Sequence, residues 1–420
     1  MADKHVVSPL APPEGFPDLP LIRGVRLATA TAGIKYSRTD VMLASINPVS
    51  AVAGVFTQSS TRSAAVIDCE RKFHKIAVSE NNLPEEIALL VNSGNANAFT
   101  GRAGEEAVRE VSGQTAQLLG LDENNVFTAS TGVIGEPLAF GKITRVLAEL
   151  KNNLSEHNLE DAGQAIMTTD TFPKGAGTVV DCSDKPVAIS GIAKGSGMIA
   201  PDMATMLAYV FTDANIDQAT LQSMVSELTG ITFNSVSVDG DTSTSDTFMV
   251  AATGLAGNKK IVGQETSDAR KFKAGLQSVM LSLAQQIARD GEGATKFVEI
   301  SVVGAENNSD AKKVAKSIAN SPLVKTAISG EDPNWGRVVM AVGKSDAKAD
   351  RDLLAIRFGN ILVAENGQVA DSYKEELGQD YMKRQEILIT VDLGLGKGSS
   401  RFWTCDFSHG YISINADYRS

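Results

Sequence analysis

One threonine in this sequence is placed where a nucleophile would be useful. Thr205 follows a glycine-containing stretch that starts at Lys194, and it precedes the apolar run Met206–Phe211. If the bond between Ala204 and Thr205 were cut, Thr205 would become an N-terminal residue at the head of a buried strand. Its new α-amine, with a pKa near ~8, could take the proton of the weakly nucleophilic hydroxyl group. The spacing suits a self-cleaving enzyme, although an ordinary loop that leads into a strand fits the same residues.

Self-cleavage would begin when the Thr205 hydroxyl group attacks the carbonyl carbon of Ala204. The small side chain of Ala204 leaves room for that attack. Gly195 and Gly197 allow the strained, pliable backbone that the approach requires. A cut at this bond would leave a downstream fragment of residues 205–420. The upstream fragment would comprise residues 21–204, preceded by an extended, proline-rich lead-in over residues 1–20.

The elements expected around this segment mix strands with helices. Apolar runs at Ala51–Phe56 and Ile87–Val91 predict buried strands, and the polar stretch Asn92–Gly101 is expected to be a loop that serves a site. Apolar residues at helical spacing predict four helices, at Val108–Leu119, Ile143–Leu150, Leu221–Leu228 and Phe272–Ile287. The fold class is therefore α/β or α+β, with a lobe boundary expected near residues 185–205.

Local signals mark some element ends. Asp217 is the expected N-cap of the third helix, and Gly230 is its expected end. Near the C-terminus, Ile356–Val363 alternates imperfectly and Asn366-Gly367 predicts a hairpin turn. Ile387–Val391 predicts a further strand.

Composition excludes several classes of function. The formal net charge of −11 and the scattered basic residues argue against nucleic acid and anionic membranes as partners. The 3 cysteines and 4 histidines are isolated, which fits a reducing compartment and gives no metal-site spacing. No signal peptide and no apolar run near the ~20 residues of a membrane span is found. We therefore expect a cytoplasmic protein without a metal.

Nine segments, in order along nearly the whole chain, resemble the ornithine acetyltransferase (ArgJ) family. The processing-site segment is Lys194–Leu207, which contains Ala204-Thr205. The other segments that carry the resemblance are Ala32–Lys35, Ala53–Thr57, Asn92–Asn97, Ser130–Gly135, Met167–Thr171, Asp290–Lys296 together with Gly330–Arg337, and Ile414–Ser420. So many matches in order make chance similarity negligible.

The resemblance implies roles for individual residues. Thr205 is implied as the nucleophile, and Thr131 and Gly132 match the pair that forms the oxyanion hole. Gly132 would let the backbone approach closely, and the Thr131 hydroxyl group would donate to the developing alkoxide, an interaction worth ~2.7–4 kcal/mol when lost. Without the resemblance, Thr131-Gly132 would be interpreted as a turn before a helix that Glu136-Pro137 opens.

The family's substrate-binding positions are matched by Thr171, Lys194, Thr205, Glu292, Asn415 and Ser420. Lys194 can pair with an α-carboxylate, and Glu292 can hold an ammonium group. Taken alone, Glu292 would be a solvated charge after a helix and Asn415 a residue of a turn at a strand end. Thr168 and Thr169 leave open which threonine of that run faces the substrate, and Thr171 is our choice.

The implied reaction moves an acetyl group from N2-acetyl-L-ornithine to L-glutamate through an acetyl-Thr205 ester. It is a ping-pong reaction of arginine biosynthesis that needs no cofactor. Family members differ in whether acetyl-CoA also donates the acetyl group, and no residue here decides it. The implied architecture is a layered α-β-β-α sandwich of the self-processing, amidase-like type with a second, smaller lobe. The implied assembly is a heterotetramer of two upstream (α) and two downstream (β) fragments.

Two other functions fit the residues. The first is an aminopeptidase or amidohydrolase that uses the same nucleophile, with water in place of glutamate. The second is an uncleaved binding or assembly protein, against which the intact Lys194–Thr205 segment argues.

Overall fold

The computed structural model describes residues 6–78, 83–183, 185–200 and 206–416. The cut site predicted at Ala204-Thr205 lies outside these residues, and so does Ser420. The chain divides into two compact units. The larger unit comprises residues 14–234 and 241–284, and the smaller unit comprises the described parts of 1–13, 235–240 and 285–420.

The larger unit alternates strands with helices. In chain order its described elements are β1 (Val25–Ala30), β2 (Val41–Ile46), β3 (Ala51–Phe56), α1 (Ala64–Val78), β4 (Ile87–Asn95), α2 (Gly101–Leu119), β5 (Val126–Val133), α3 (Phe140–Asn152), α4 (Leu159–Ala165), β6 (Lys174–Cys182), β7 (Lys185–Lys194), β8 (Leu207–Thr212), α5 (Gln218–Ile231), β9 (Thr247–Ala252) and α6 (Ser267–Arg289). Helix α6 continues into the smaller unit from residue 285.

These strands form two sheets that pack face to face. The sheets have the orders β1-β2-β4-β5 and β3-β9-β8-β7-β6. Leu89 and Phe127 of the first sheet share one buried core with Ile192 and Tyr209 of the second. Burial of this apolar surface on both inner faces is the main stabilising contribution that holds the two sheets together.

Helices cover the outer face of each sheet. Val111 of α2 and Leu147 of α3 pack on the far side of the first sheet. Helix α6 lies so close to the second sheet that a Cβ at Gly275 would come within 2.6 Å of Val180. The layer order is therefore α-β-β-α, and the sandwich predicted from the sequence, with a second and smaller lobe, is confirmed.

The smaller unit is built on a third sheet. Its described elements are β10 (Phe297–Ala305), α7 (Asn308–Ala319), α8 (Pro322–Ser329), α9 (Trp335–Gly343), β11 (Ala355–Phe358), β12 (Ile361–Glu365), β13 (Gln368–Val369), α10 (Glu375–Met382), β14 (Glu386–Asp392), β15 (Gly398–Cys405) and α11 (His409–Ala416). The sheet order is β13-β12-β11-β14-β10-β15. Ile300 and Ile389 of this sheet share a buried core with Val314 of α7 and Val338 of α9.

Sequence periodicity located many of these elements. The bounds of β3 are those predicted, and α3 buries Ile143, Leu147 and Leu150 as expected. Asp217 caps α5 by accepting a hydrogen bond from the Thr220 backbone N–H at 3.1 Å, as predicted. The predicted end at Gly230 is wrong by one residue, because α5 continues to Ile231.

Two further expectations are corrected. Strand β4 extends through the predicted loop as far as Asn95, because its polar residues have partners inside the protein. The Asn92 carboxamide oxygen accepts from the Ser130 hydroxyl group at 2.7 Å. A lobe boundary near residues 185–205 is wrong, since β7 and β8 on either side of it pair in one sheet, with Lys194 opposite Leu207.

The lead-in has no helix or strand over its described residues 6–20. Its part from residue 14 onward belongs to the larger unit and is packed there, because a Cβ at Gly175 would come within 2.4 Å of the Phe16 ring. Among the described helices, none combines the length and apolar composition that would let it cross a membrane.

Two glutamines cover the open edge of β3, the outermost strand of its sheet. The Val52 backbone N–H donates to Gln218 Oε1 at 2.9 Å, and Gln218 Nε2 donates to the Val52 carbonyl oxygen at 2.7 Å. Gln222, one helical turn further along α5, makes the same pair of bonds with Gly54 at 3.1 Å each. These side chains supply the bonds that a neighbouring strand would make, so the edge does not invite pairing with another chain.

The double variant Gln218→Ala/Gln222→Ala should therefore unfold more easily and aggregate more. Each lost partner leaves backbone groups of β3 dependent on water, and a loss of ~1 kcal/mol corresponds to a fall of about 2–4 °C in the thermal midpoint. Scanning calorimetry with light scattering measures both effects. Gln264→Ala is the control, because in the described structure this glutamine bonds the side chains of Ser223 and Lys273 and no strand backbone. Equal midpoints for the double variant and the control would contradict this role.

Candidate functional site

Lys194 ends strand β7 and is 3% exposed. Its ammonium nitrogen lies 3.8 Å from Asp170 Oδ2. Antiparallel pairing sets Lys194 opposite Leu207, the first residue of β8. Because Leu207 follows Thr205 by two residues, the register brings a buried cation to the strand that the predicted nucleophile precedes.

Asp170 is the centre of the polar contacts around Lys194. Its Oδ1 accepts from the Lys174 ammonium group at 2.7 Å and from the Gly195 backbone N–H at 2.6 Å. Its Oδ2 accepts from the Thr168 backbone N–H at 2.9 Å. The carboxylate therefore ties the start of β6 and the end of β7 to the first residue of the loop that follows Lys194.

The charge on Asp170 is stabilised by these neighbours. Burial by itself would raise the pKa of the carboxyl group, but Lys174 and Lys194 lower it more strongly, and the net result is a pKa well below its usual range. The Lys174 side chain is itself fully buried, and its nitrogen lies 4.8 Å from the centre of the Phe172 ring. Sequence analysis did not identify Asp170 or Lys174, although Asp170 lies inside the segment Met167–Thr171 that carried the resemblance.

The predicted oxyanion residues lie at the end of β5, in parallel pairing with β4. Gly132 is opposite Gly94 and has a φ of +133°, a backbone conformation that favours glycine. A Cβ at Gly132 would come within 2.4 Å of the Gly94 carbonyl carbon and 2.6 Å of the Asn95 backbone nitrogen. The alternative of a turn that leads directly into a helix is wrong, because Thr131 and Gly132 are strand residues and α3 begins only at Phe140.

Contacts within residues 168–171 show a structural role for one of the threonines there, Thr168. Thr168 holds Asp170 through its backbone N–H, and its hydroxyl group lies 3.5 Å from the same oxygen. Thr171 is half-buried, three residues before the start of β6. Its choice as the residue that faces the substrate stays a prediction.

Glu292 and Asn415 come together in the smaller unit. Asn415 Nδ2 donates to Glu292 Oε2 at 2.6 Å, and Glu292 is only 6% exposed. Glu292 lies in the turn between α6 and β10, and Asn415 lies in α11. The interpretations of Glu292 as a solvated charge and of Asn415 as a residue of a strand-end turn are therefore wrong.

A neighbouring contact fixes this turn against α11. The Ser408 hydroxyl group donates to the Gly293 carbonyl oxygen at 2.6 Å. A Cβ at Gly293 would come within 2.4 Å of the Tyr411 backbone nitrogen, so only glycine fits this position. The turn and the helix approach each other closely enough for Asn415 to reach Glu292.

The predicted site residues are thus divided between the units. Thr131, Gly132, Thr171 and Lys194 belong to the larger unit, and Glu292 and Asn415 belong to the smaller. Thr205, Ala204 and Ser420 lie outside the described residues. The stretch after Lys194 was predicted to have unusual backbone conformations at Gly195 and Gly197. Positive φ angles occur at Gly195, with +155°, and at Met198, with +58°, instead of at Gly197.

A second buried carboxyl group, Asp246, was missed by sequence analysis. It precedes β9 and is 1% exposed, and neither of its side-chain oxygens makes a hydrogen bond of ordinary geometry among the described residues, although the Met206 backbone N–H lies beside the carboxyl group. Burial raises the pKa of Asp246 well above its usual range, while the Met206 backbone N–H and Lys194 oppose that rise. No sequence signal could have identified it, since the preceding residues Asp241–Ser245 are simply polar.

Among the described residues, no three histidine, cysteine, aspartate or glutamate side chains lie together in a way that could hold a metal ion. The three cysteines, Cys69, Cys182 and Cys405, are buried and unpaired.

Comparison with known proteins gives consistent relatives. A model described as the ArgJ family matches residues 26–420. The arginine biosynthesis bifunctional protein ArgJ of Ruegeria pomeroyi is 58% identical over 421 aligned positions, which cover 100% of both chains. A solved arginine biosynthesis bifunctional protein from Bacillus halodurans is 44% identical and covers 50% of this chain and 99% of its own, with a TM-score of 0.49. A solved ornithine acetyltransferase from Mycobacterium tuberculosis, complexed with ornithine, is 30% identical and covers 43% of this chain and 93% of its own, with a TM-score of 0.39.

Gly132→Ala should disrupt the end of β5. The added methyl group would overlap the Gly94 backbone, and the φ of +133° is strained for alanine. We expect a lower thermal midpoint and a loss of acetyl transfer of at least about 100-fold, the effect of losing one oxyanion donor. Gly113→Ala is the matched control, because a Cβ there meets nothing within 4 Å in the middle of α2. Normal activity of Gly132→Ala would show that the close approach of Gly132 to the Gly94 backbone is not required for activity.

Asp170→Asn should destabilise the larger unit by roughly 3–5 kcal/mol near neutral pH, because it leaves Lys174 buried without its counter-charge. A carboxyl group whose pKa is lowered by folding contributes stability above its unfolded value of about 3.9 and loses it as the pH falls further. The difference from wild type should therefore shrink in acid. Urea unfolding across a pH series measures it, with the exposed Asp161→Asn as control. A difference that does not depend on pH would contradict the ion pairing.

Proposed function

We propose, because the chain belongs to the ArgJ family, that it transfers an acetyl group from N2-acetyl-L-ornithine to L-glutamate in arginine biosynthesis. The chain is an acyltransferase of that family along its whole length, since its relative at 58% identity covers 100% of it. The observation that carries the substrate class is Lys194, a buried cation at the end of β7 and opposite the first residue of β8, which is suited to a carboxylate.

The reaction begins after self-cleavage between Ala204 and Thr205. The α-amine of Thr205 takes the hydroxyl proton as Thr205 Oγ attacks the acetyl carbonyl carbon. Donors at Thr131 and Gly132 stabilise the negative charge on the acetyl oxygen. Ornithine leaves with the proton on its nitrogen, and Thr205 keeps the acetyl group as an ester. The amine of glutamate then attacks this ester, and N-acetyl-L-glutamate departs.

The substrate's two ends are assigned to two groups of residues. Lys194 binds the α-carboxylate shared by ornithine and glutamate, with Thr171 beside it. Glu292, which accepts a hydrogen bond from Asn415 at 2.6 Å, binds the side-chain ammonium group of ornithine. Asn415 orients that carboxylate, and Ser420 completes the substrate site.

We also propose a second acetyl donor. Relatives of this chain carry the name bifunctional. We therefore propose that acetyl-CoA can acetylate Thr205 in place of acetylornithine, so that the enzyme makes N-acetyl-L-glutamate without prior acetylornithine. The chemistry needs no metal or tightly bound cofactor, because the acetyl-enzyme ester divides the transfer into two steps. The proposed enzyme is a cytoplasmic heterotetramer of two upstream and two downstream fragments.

Intact mass of the purified protein, wild type beside Thr205→Ala, tests the nucleophile first. We expect the wild type to give two fragments that divide at Ala204-Thr205, and the variant to give one uncut chain without acetyl transfer. The reason is that alanine lacks the hydroxyl group needed for both steps. The control is Thr266→Ala, which removes a hydroxyl group that only holds the first turn of α6 through the Ala269 backbone N–H at 3.1 Å.

Activity assays then separate the alternatives. Acetylornithine with glutamate should give ping-pong kinetics, and mass spectrometry without glutamate should find the acetyl group on Thr205. Acetyl release to water at the same rate with and without glutamate would instead indicate a hydrolase. A single uncut wild-type chain without activity would contradict the proposed function.

A further inference from the structure

The self-cleavage step needs a proton acceptor that the proposed function has not supplied. In the uncut chain the nitrogen of Thr205 is a peptide nitrogen, which has no basic lone pair. The α-amine that serves acetyl transfer therefore exists only after the bond has been cut. Some other group must accept the Thr205 hydroxyl proton during cleavage, and this inference rests on the proposed function.

The register of the five-stranded sheet points to one carboxyl group. Strand β9 runs parallel to β8, with Thr247 opposite Leu207. The Thr247 backbone N–H donates to the Met206 carbonyl oxygen at 3.1 Å. Asp246 therefore lies beside Met206, whose Cα is separated from that of Thr205 by one peptide unit of about 3.8 Å.

Asp246 differs from Asp170 and Asp406, two other buried aspartates of the described chain, in its hydrogen bonds. Asp170 has two lysines and two backbone N–H donors. Asp406, fully buried in the smaller unit, accepts from Thr295 and Lys296. Asp246 is equally buried, but neither of its oxygens makes a hydrogen bond of ordinary geometry among the described residues. The Met206 backbone N–H beside it offsets only part of the effect of burial on its pKa. An unsatisfied carboxyl group in an apolar interior destabilises the fold, so a role in the chemistry is the better explanation.

The surroundings of Asp246 give it the properties of a base. Burial is the largest influence and raises its pKa, which makes the ionised form a stronger proton acceptor than an ordinary carboxylate. Lys194, at the end of β7, is the charged side chain among the described residues that acts in the opposite direction. Lys194 is itself an ion-pair partner of Asp170, so it is poorly suited to accept the proton.

We propose that Asp246 is the general base of self-cleavage. As Thr205 Oγ bonds to the Ala204 carbonyl carbon, the hydroxyl proton passes to the Asp246 carboxylate. The protonated Asp246 then gives this proton to the Thr205 nitrogen as the Ala204–Thr205 C–N bond breaks, which leaves Ala204 as an ester on Thr205. Water hydrolyses the ester, restores the Thr205 hydroxyl group and releases the Ala204 carboxylate. The net reaction consumes one water molecule and regenerates the Asp246 carboxylate.

The test follows cleavage of the full chain after cell-free synthesis. Translation is stopped, the chain is transferred to buffers from mildly acidic to mildly alkaline pH, and intact mass gives the cut fraction over time. Wild type is compared with Asp246→Asn, which keeps the shape but cannot accept the proton, and with Asp246→Glu, which can. Asp213→Asn is the matched control. Asp213 is a buried aspartate directly after the far end of β8, where it accepts from the Ala188 backbone N–H at 2.9 Å.

Wild type should be cut faster as the pH rises through the raised pKa of Asp246. Asp246→Asn should be cut at least about 100-fold more slowly, with this pH dependence lost, because general-base catalysis typically contributes 10²–10⁴-fold. Asp246→Glu should recover part of the rate and the pH dependence. Asp213→Asn should show the wild-type pH profile even if its thermal midpoint falls.

Several outcomes would overturn the inference. The first is that Asp246→Asn is cut at a rate within about threefold of wild type. The second is that Asp246→Asn is cut slowly but its rate depends on pH as in wild type, which is what a purely structural defect would give. If Asp246→Asn does not fold, Asp246→Glu decides, since a cleavage rate of that variant that does not change with pH would also overturn the inference. Failure of the proposed function can be told apart from failure of the Asp246 inference, because the wild type would then remain uncut at every pH.

Discussion

An ionised carboxylate inside a protein needs cations and donors around it, and Asp170 imposes this requirement on the larger unit. Its partners are Lys174, the first residue of β6, and Lys194, the last residue of β7. Antiparallel pairing sets Lys174 opposite Ala193, so the register alone brings both lysines to one end of the sheet. A shift of one residue would turn one of them away and leave the buried charge uncompensated. The position of Lys194, and with it the expected contact to a substrate carboxylate, depends on this arrangement.

The same end of the sheet holds a carboxyl group in the opposite condition. Asp246, before β9, has no comparable partners among the described residues, and its pKa is raised where that of Asp170 is lowered. Two carboxyl groups with pKa values moved apart by their surroundings are suited to different tasks, one as a fixed counter-charge and the other as a proton carrier. Lys194 influences both groups, which couples the fixed charge to the titrating one.

Local patterns in the sequence identified the elements whose burial is periodic. Helix α3 and strand β3 follow from spacing alone, and the family resemblance supplied Lys194 and Glu292. Features set by pairing between distant residues were not predictable. Asn92 looked like a loop residue because its partner, Ser130, is 38 positions away. The expected lobe boundary failed because the pairing of β7 with β8 cannot be read from either strand, and Asp246 became visible only through its register beside Met206.

In the sheet with the order β3-β9-β8-β7-β6, strands β8 and β9 come after residue 205 in the chain. They lie between β3 and β7, which come before it. A chain cut at the proposed position would therefore share one sheet between two polypeptides, with β8 and β9 hydrogen-bonded to upstream strands on both sides. Once separated, the pieces could refold only by meeting in solution, so recovery would depend on protein concentration and would compete with aggregation at exposed strand edges. The working lifetime of such an enzyme would be set by how slowly it unfolds and no longer by an equilibrium.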